Sequence, residues 1–376
     1  MPIAVPEAPV ARGRLAGRLR IFSRATLQWS HPRQRSTAPQ RILVAHHLLL
    51  GDTLMLTPLI AKLRAVYPAA DIVMAMPTAY APLYSTRPYG VRGIGWSPRA
   101  VASSPLWQEA AFDLAYVPGD NRVSWLALAL GARWIVAFGG DRPAYKSWPV
   151  DDLRPYPDVP SAWADMVAGL VPGPPPRRYA KQEWAAPPAD PFDVPRVPYA
   201  VLHVGASTPL KQWDPSRWGR LANWLAQRGI TPVWSAGRGE EAVVRACDPD
   251  GRFRSLAGVL TLSQLWILIE RAAVLLCPDT GVAHLGRITG TPTVALFGPG
   301  STLISGPGDF WRDAPYRAVT IDAFPCRDQR VLFKREIAWV SRCGRSTAEC
   351  AHPRCMDAIA IDRVTEAISA LGVVPE

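Results

Sequence analysis

Three short stretches combine residue types able to hold an anionic group and move a proton. The first, residues 272–298 (AAVLLCPDTGVAHLGRITGTPTVALFG), reads as strand, sharp turn, helix, strand. Its apolar runs at 272–277 and 293–297 suit strands buried on both faces. Pro278 stops the first run, Asp279 or Thr280 offers an N-cap oxygen, and Gly290 with Pro292 ends the helix. The amides of Gly281, Val282 and Ala283 would then point outward from a sheet's C-terminal edge, where the helix dipole favours an anion. A phosphate seat and an ordinary capped helix both remain open for this stretch taken alone. The second, HVGASTPLKQW at 203–213, supplies Gly205 for close backbone approach, hydroxyls at Ser207 and Thr208, and a point charge at Lys211. It lacks the glycine spacing of a Walker A loop. Downstream, Glu240 in Gly237-Arg238-Gly239-Glu240 could accept hydrogen bonds from a ribose, although a simple turn explains it equally. The third, HHLLLGD at 46–52, ends on Gly51 and Asp52 where a loop meets a helix. Asp52 reads either as an N-cap or as a general base, the latter only if desolvation offsets the helix dipole. His46 and His47 are competing bases or plain loop histidines.

These stretches need a scaffold, and the surrounding pattern supplies one. Residues 41–45 (RILVA) form a strand, 53–67 a helix ended by Pro68, and 71–76 (DIVMAM) a second strand, giving a right-handed βαβ unit. Strands at 112–117 and 134–138 flank a helix at 123–130. Nine prolines between 172 and 198 mark a stiff linker. After it the plan restarts with a strand at 199–204, a helix at 216–228 and a strand at 231–235. The expected organisation is a basic extension (1–40), an N-terminal Rossmann-like acceptor domain (41–171), the linker (172–198), a C-terminal Rossmann-like nucleotide-sugar donor domain (199–325) and a cysteine-containing tail (326–376). In such an α/β fold the two halves face each other across a cleft, where ligands of parallel sheets bind.

The 376 residues suffice for two cores, and 48% hydrophobic with 19% charged residues is a globular composition. A formal charge of +11 suits acidic partners. No apolar run is long enough to span a bilayer; residues 125–138 come nearest and are broken by Gly131 and Arg133. The first forty residues carry seven arginines against one acid, Glu7, and no signal-peptide core. Leu15, Leu19 and Phe22 share a helical face, so an interfacial helix on anionic lipid is conceivable, but a solvated basic tail is the favoured reading. The setting expected is cytoplasmic, with peripheral inner-membrane contact left open. Cys326, Cys343, Cys350 and Cys355, with His352 between the last two, could be free thiols, a zinc or iron site, or a disulfide; free thiols are favoured. The helix at the end, with Ile361, Val364, Ile368 and Leu371 on one face, should cap a domain.

The set HHLLLGDTLMLTP, HVGASTPLKQW, AGRGEE, LAGVLTLSQLWILIERAAVLLCPDTGVAHLGRITGTPTVALFGP and CMDAIAIDRVTEAI, in this order from residue 41 to about 371, resembles glycosyltransferase family 9, the heptosyltransferases of lipopolysaccharide core. The resemblance implies a GT-B fold, an ADP-heptose donor, a glycolipid acceptor, and inversion at the anomeric carbon with no cofactor required. It implies Asp52 as base, Lys211 on the diphosphate, and Asp279, Thr280, Gly281 and His284 as the DTGxxH donor signature. HHLLL departs from the basic or small polar residue that many members carry before Gly51, which bears on the acceptor. Two other readings are a nicotinamide-dependent oxidoreductase, disfavoured because no G-x-G-x-x-G follows the first strand, and a non-catalytic relic. Nucleic acid is not expected as a partner, since no recognised module appears.

Overall fold

The computed structural model describes residues 8–322 and 324–374. Two six-stranded parallel sheets dominate it. The first comprises β1 (Arg41–Ala45), β2 (Asp71–Pro77), β3 (Arg92–Trp96), β4 (Leu114–Val117), β5 (Ile135–Phe138) and β6 (Asp152–Arg154), in the order β3-β2-β1-β4-β5-β6. The second comprises β7 (Tyr199–His203), β8 (Thr231–Ser235), β9 (Arg254–Ser255), β10 (Val274–Pro278), β11 (Thr293–Phe297) and β12 (Tyr316–Thr320), in the order β12-β11-β10-β7-β8-β9. Read from their first strands, the two orders are the same. Each sheet reverses direction between its first and fourth strands, and that switch point opens a crevice at the strand C-termini. The central strands are apolar along their length because packed elements cover both faces; all five residues of β7, β10 and β11 are buried.

The helices are α1 (Ala8–Trp29), α2 (Leu50–Leu54), α3 (Thr57–Val66), α4 (Ser124–Ala129), α5 (Trp163–Ala168), α6 (Pro215–Ala226), α7 (Glu241–Cys247), α8 (Leu262–Glu270), α9 (Gly281–Thr289), α10 (Arg354–Asp357) and α11 (Ile361–Ser369). Local chemistry sets their ends. Asp214 caps α6 by accepting from the Arg217 amide (3.1 Å), with Pro215 in the first turn. Thr261 and Gln264 form a reciprocal capping box on α8. Gly290 closes α9 with a φ of 71°, which its missing Cβ makes cheap.

Two expectations require correction. The single helix at 53–67 is two, α2 and α3, separated by Met55 and Leu56, with Pro58 in the first turn of α3. Residues 8–29 are not a tail but α1, docked on α4 and on the turn at Val101 through a seam of Gly17, Ile21 and Ala25. A Cβ on Gly17 would lie 2.4 Å from Val101 Cγ1, so the small residue permits the contact. The proline-rich stretch is anchored along its length: Trp184 is buried between Tyr84 of the first half (4.8 Å) and Trp266 of the second (5.6 Å), and its indole donates to Leu83 O (3.0 Å).

The tail divides its work. Helix α11 stays on the second half, burying Val364 and Ile368. A two-stranded hairpin of β13 (Val331–Leu332) and β14 (Arg335–Glu336) reaches the first half. There buried Arg335 donates to Asn121 Oδ1 (2.8 Å) and Gly139 O (2.8 Å) and lies 3.5 Å from Asp141, itself paired with Lys146 at 2.8 Å. Trp339 donates to Pro157 O (2.8 Å).

Candidate active site

The loops that follow β1 and β10 meet across the two halves. On the first side, His46 is buried: its carbonyl accepts from Trp96 Nε1 (2.9 Å) and its Nδ1 from the Leu48 amide (3.3 Å). That contact leaves the ring proton on Nε2, and burial drives the pKa down to about 3, so His46 is a neutral prop beneath the loop. His47 is exposed, edge-on to Trp96 at 5.2 Å, and desolvation lowers its pKa too.

Asp52 lies in the first turn of α2, while Leu49 holds the N-cap position, so the capping reading does not apply. Its carboxylate forms no hydrogen bond or ion pair with any described residue. Burial raises its pKa to about 6; the Asp279 charge adds to the rise, and Lys211 and Arg342 oppose it. A free carboxylate poised near neutrality is the electrostatic profile of a general base.

Gly51 and Gly281 bring the two helix starts together. A Cβ on Gly51 would lie 2.9 Å from His284 Cδ2 and 3.3 Å from Gly281 Cα, and one on Gly281 would lie 3.0 Å from the Gly51 amide nitrogen. A side chain at either position would crowd the other helix start and require a small shift of it.

On the second side, Thr280 holds the N-cap position of α9, but its side chain makes no capping bond and Oγ1 is buried without a partner. The Ala283 amide is taken by Thr280 O (3.1 Å), so the expected seat of three amides narrows to Gly281 and Val282. Asp279 grips Lys211, whose Nζ donates to Oδ2 (2.9 Å) and to the carbonyl (2.8 Å). An ammonium has three protons, so one remains unspent. Buried His284 receives Arg287 Nη1 on Nδ1 (3.3 Å), and because arginine can only donate, Nε2 carries the proton. Desolvation, then the charges of Arg287 and Lys211, hold its pKa well below the ordinary range. The result is a neutral imidazole with a fixed tautomer. Arg287 is in turn held by Ser305 O (2.6 Å), Gly306 O (2.9 Å) and the face of Tyr316 (4.0 Å).

The remaining residues singled out in the sequence lie close by. Glu240 spends one oxygen on the Ala206 amide (3.0 Å) and the other on the Gly237 amide (2.7 Å), tying the loops after β7 and β8 together. A Cβ on Gly205 would lie 2.0 Å from Glu240 Oε2. Thr208 spends its hydroxyl on the Leu210 amide (3.4 Å), whereas Ser207 is exposed. The four tail cysteines, like Cys247 and Cys277, are free thiols. Cys326, Cys343 and Cys355 are neighbours, while Cys350 donates to His352 O (3.4 Å). Among the described residues, no three His, Cys, Asp or Glu side chains are arranged to hold a metal ion.

Sequence reasoning missed Arg342, a tail cation close enough to bias Asp52 and without an ion pair among the described residues. It also missed Tyr80, whose pKa is raised by burial with the Asp52 charge adding. Neither belongs to a local motif. Beyond them lies a cavity of about 890 Å³ between the β5–β6 edge and the tail hairpin, lined by Arg142, Arg154, Tyr156, Lys334 and Trp339 among others; Asp52, Lys211 and Asp279 are not part of its wall.

Two doubly wound sheets of matching strand order, with opposed switch-point loops and a tail that returns to the first half, define a GT-B architecture. The family model for glycosyltransferase family 9 (heptosyltransferase) matches residues 108–309. The chain belongs to that family. It is 26% identical over 195 residues to lipopolysaccharide heptosyltransferase 1 of Pseudomonas aeruginosa, covering 48% of this chain and 50% of that protein. It is 23% identical over 290 residues to the lipopolysaccharide core heptosyltransferase OpsX of Haemophilus influenzae, covering 72% of this chain and 82% of that one. The chain thus spans half the length of the first relative and most of the second. Among solved structures, the ADP-heptose LPS heptosyltransferase II of Escherichia coli superposes with a TM-score of 0.65 at 20% identity, covering 88% of this chain and 98% of that chain.

Proposed function

We propose that the protein transfers a heptose from ADP-heptose, with inversion and without a metal, to a hydroxyl of a lipopolysaccharide-core or similar glycolipid acceptor. The observation that carries this reading is the free Asp52 carboxylate set opposite the Lys211–Asp279 pair at the start of α9. In the reaction the acceptor oxygen forms a bond to the anomeric carbon as the bond from that carbon to ADP breaks on the opposite face. Asp52 takes the acceptor proton. The spare Lys211 proton, the Gly281 and Val282 amides and the Thr280 hydroxyl meet the charge left on the diphosphate. His284, donating through Nε2, suits a sugar or phosphate oxygen near the Gly51 loop.

Two further observations support parts of this reading. The single D-x-D of the chain, Asp248-Pro249-Asp250, is a turn in which Asp248 accepts from Trp234 Nε1 (3.0 Å) and from the Arg252 (3.0 Å) and Phe253 (2.9 Å) amides, so it is already spent. The cavity of Arg142, Arg154, Lys334, Tyr156 and Trp339, with Asp158 and Glu336 also on its wall, combines charged groups with aromatic faces, which suits a glycan as acceptor. We place the reaction in the cytoplasm, and hold a structural metal among the tail cysteines as a separate proposal that elemental analysis of purified protein decides.

The test is calorimetric titration with ADP-heptose, ADP and NADH in the presence of a chelator, on wild type and Lys211→Ala. ADP-heptose and ADP should bind, and the variant should bind them roughly 10- to 100-fold more weakly, as expected for loss of a charge-assisted contact of about 1.5–3 kcal/mol. NADH binding with silence toward ADP-heptose would overturn the transferase. Binding without turnover on any glycolipid, unaltered by Asp52→Asn, would favour the relic.

A further inference from the structure

Helix α1 has two faces. Gly17, Ile21 and Ala25 pack on α4 and the Val101 turn. Leu15, Leu19, Phe22 and Trp29, spaced i, i+4, i+7 and i+14, form a second stripe that stays in solvent, with Leu15 and Leu19 exposed at 60% and 61%. The stripe continues onto the first half. Phe22 (5.1 Å) and Trp29 (5.8 Å) pack on Trp125, which meets Trp148 at 6.5 Å, and Trp148 meets Tyr145 at 6.4 Å. Trp148 itself is exposed at 64%. A contiguous run of exposed apolar and aromatic side chains marks a contact surface.

The charge around the patch indicates what it touches. The sequence of α1 contains five arginines and no acid. Arg20 and Arg24 are committed to the protein, lying over the Trp107 ring at 4.8 and 5.2 Å, and Arg24 donates to Ala129 O (3.2 Å). Arg14 and Arg18 are exposed and form no ion pair among the described residues. Exposed leucines, a belt of tryptophan and tyrosine, and unpaired arginines together match the headgroup zone of an anionic bilayer, where apolar tips enter the acyl boundary, indoles sit at the interface and guanidinium groups meet phosphate.

We infer that the α1 stripe with Trp125, Tyr145 and Trp148 docks the protein on an anionic phospholipid surface. The patch has a defined relation to the cleft. Trp148 follows Ser147, whose hydroxyl accepts from Asn121 Nδ2 (2.8 Å), and Asn121 also holds Arg335 of the tail hairpin at the edge of the β5–β6 cavity. Docking would therefore bring the acceptor-side edge of the first sheet beside the lipid. The surface itself does not depend on the donor chemistry.

The test uses the full chain without substrates. Co-sedimentation is measured with vesicles of phosphatidylcholine alone and of phosphatidylcholine with phosphatidylglycerol, at low and high salt. The proteins are wild type, Leu15→Gln/Leu19→Gln and Arg14→Gln/Arg18→Gln. Circular dichroism checks that the helix is retained, and ADP titration that the cleft is unaltered. Wild type should partition onto the anionic vesicles, less so in high salt, and each double variant should partition at least about tenfold more weakly. No partitioning by wild type, or equal partitioning by all three proteins, would overturn the inference. So would concentration-dependent self-association in analytical ultracentrifugation that the leucine variant abolishes, since a second copy would then be the occupant. Failure of the vesicle assay with ADP binding intact would leave the transferase standing, and the reverse result would leave the membrane surface standing.

Discussion

At Asp52, burial acts on chemistry and on stability through the same shift. The folded pKa of about 6 lies above the ordinary value of 3.8, so above pH 6 the fold carries an ionised acid that it disfavours, and below 3.8 that penalty disappears. Asp52→Asn should therefore raise the melting temperature at pH 7, by the equivalent of up to ~3 kcal/mol, and leave it unchanged near pH 3.5. Calorimetry at the two pH values checks this. The same variant should lower kcat on the order of a thousandfold with little change in donor KM. In wild type, kcat/KM should fall as pH drops through about 6. Removing the Arg342 cation by Arg342→Gln should move that limb upward, because the carboxylate loses a charge that favours ionisation. Thr280 provides a second residue-scale test. Its hydroxyl is buried without a partner, so Thr280→Val should stabilise the ligand-free protein by about 1 kcal/mol while weakening ADP binding.

At the scale of elements, the contact between α2 and α9 sets how closely the two halves meet at the site. Gly51→Ala would place a methyl 2.9 Å from His284 Cδ2, and rigid backbone at Gly281 lies just behind it. The variant should fold, because either half can absorb a small shift, yet lose transfer activity by at least about 100-fold from misplacement of Asp52. A kinetic assay beside a thermal melt separates these outcomes. The fate of α1 shows why elements are harder to read than motifs. The seven arginines and single acid of residues 1–40 suggest a tail, but docking depends on Gly17 and Ala25 finding Val101 and α4, and no local pattern encodes that meeting. The capping of α9 at Gly290 was legible because one residue type decides it. The break between α2 and α3 was not, since the helical periodicity runs through it. Asp52, Lys211 and the DTGVAH segment were legible as a set, because each follows within a few residues of a strand that the sequence shows. Arg342 and Tyr80 could not be found that way: they come to the site from stretches with no chemical signature of their own.

At the scale of the molecule, two sheets of the same strand order are joined by more than the peptide chain. Trp184 is wedged between Tyr84 and Trp266 in the connection, and Arg335 is buried in the opposite half with Asn121 and Asp141. Arg335→Ala would leave Asp141 with Lys146 and the Asn121 amide but strip the buried Asn121 Oδ1 of its donor, and should destabilise the protein by about 1–3 kcal/mol, measurable by denaturant titration. The two anchors also limit motion. A body held to another at one point can swivel in any direction, but a body held at two separated points can only rock about the line between them. The connection at Trp184 and the hairpin at Arg335 are two such points, and Asp165 of α5, accepting from the Asp309 (2.7 Å) and Phe310 (3.2 Å) amides of the second half, is a third, so opening of the cleft should be small. Small-angle scattering with and without ADP should then show a small change in radius of gyration for wild type, and a larger one once Arg335 is removed and that anchor is lost.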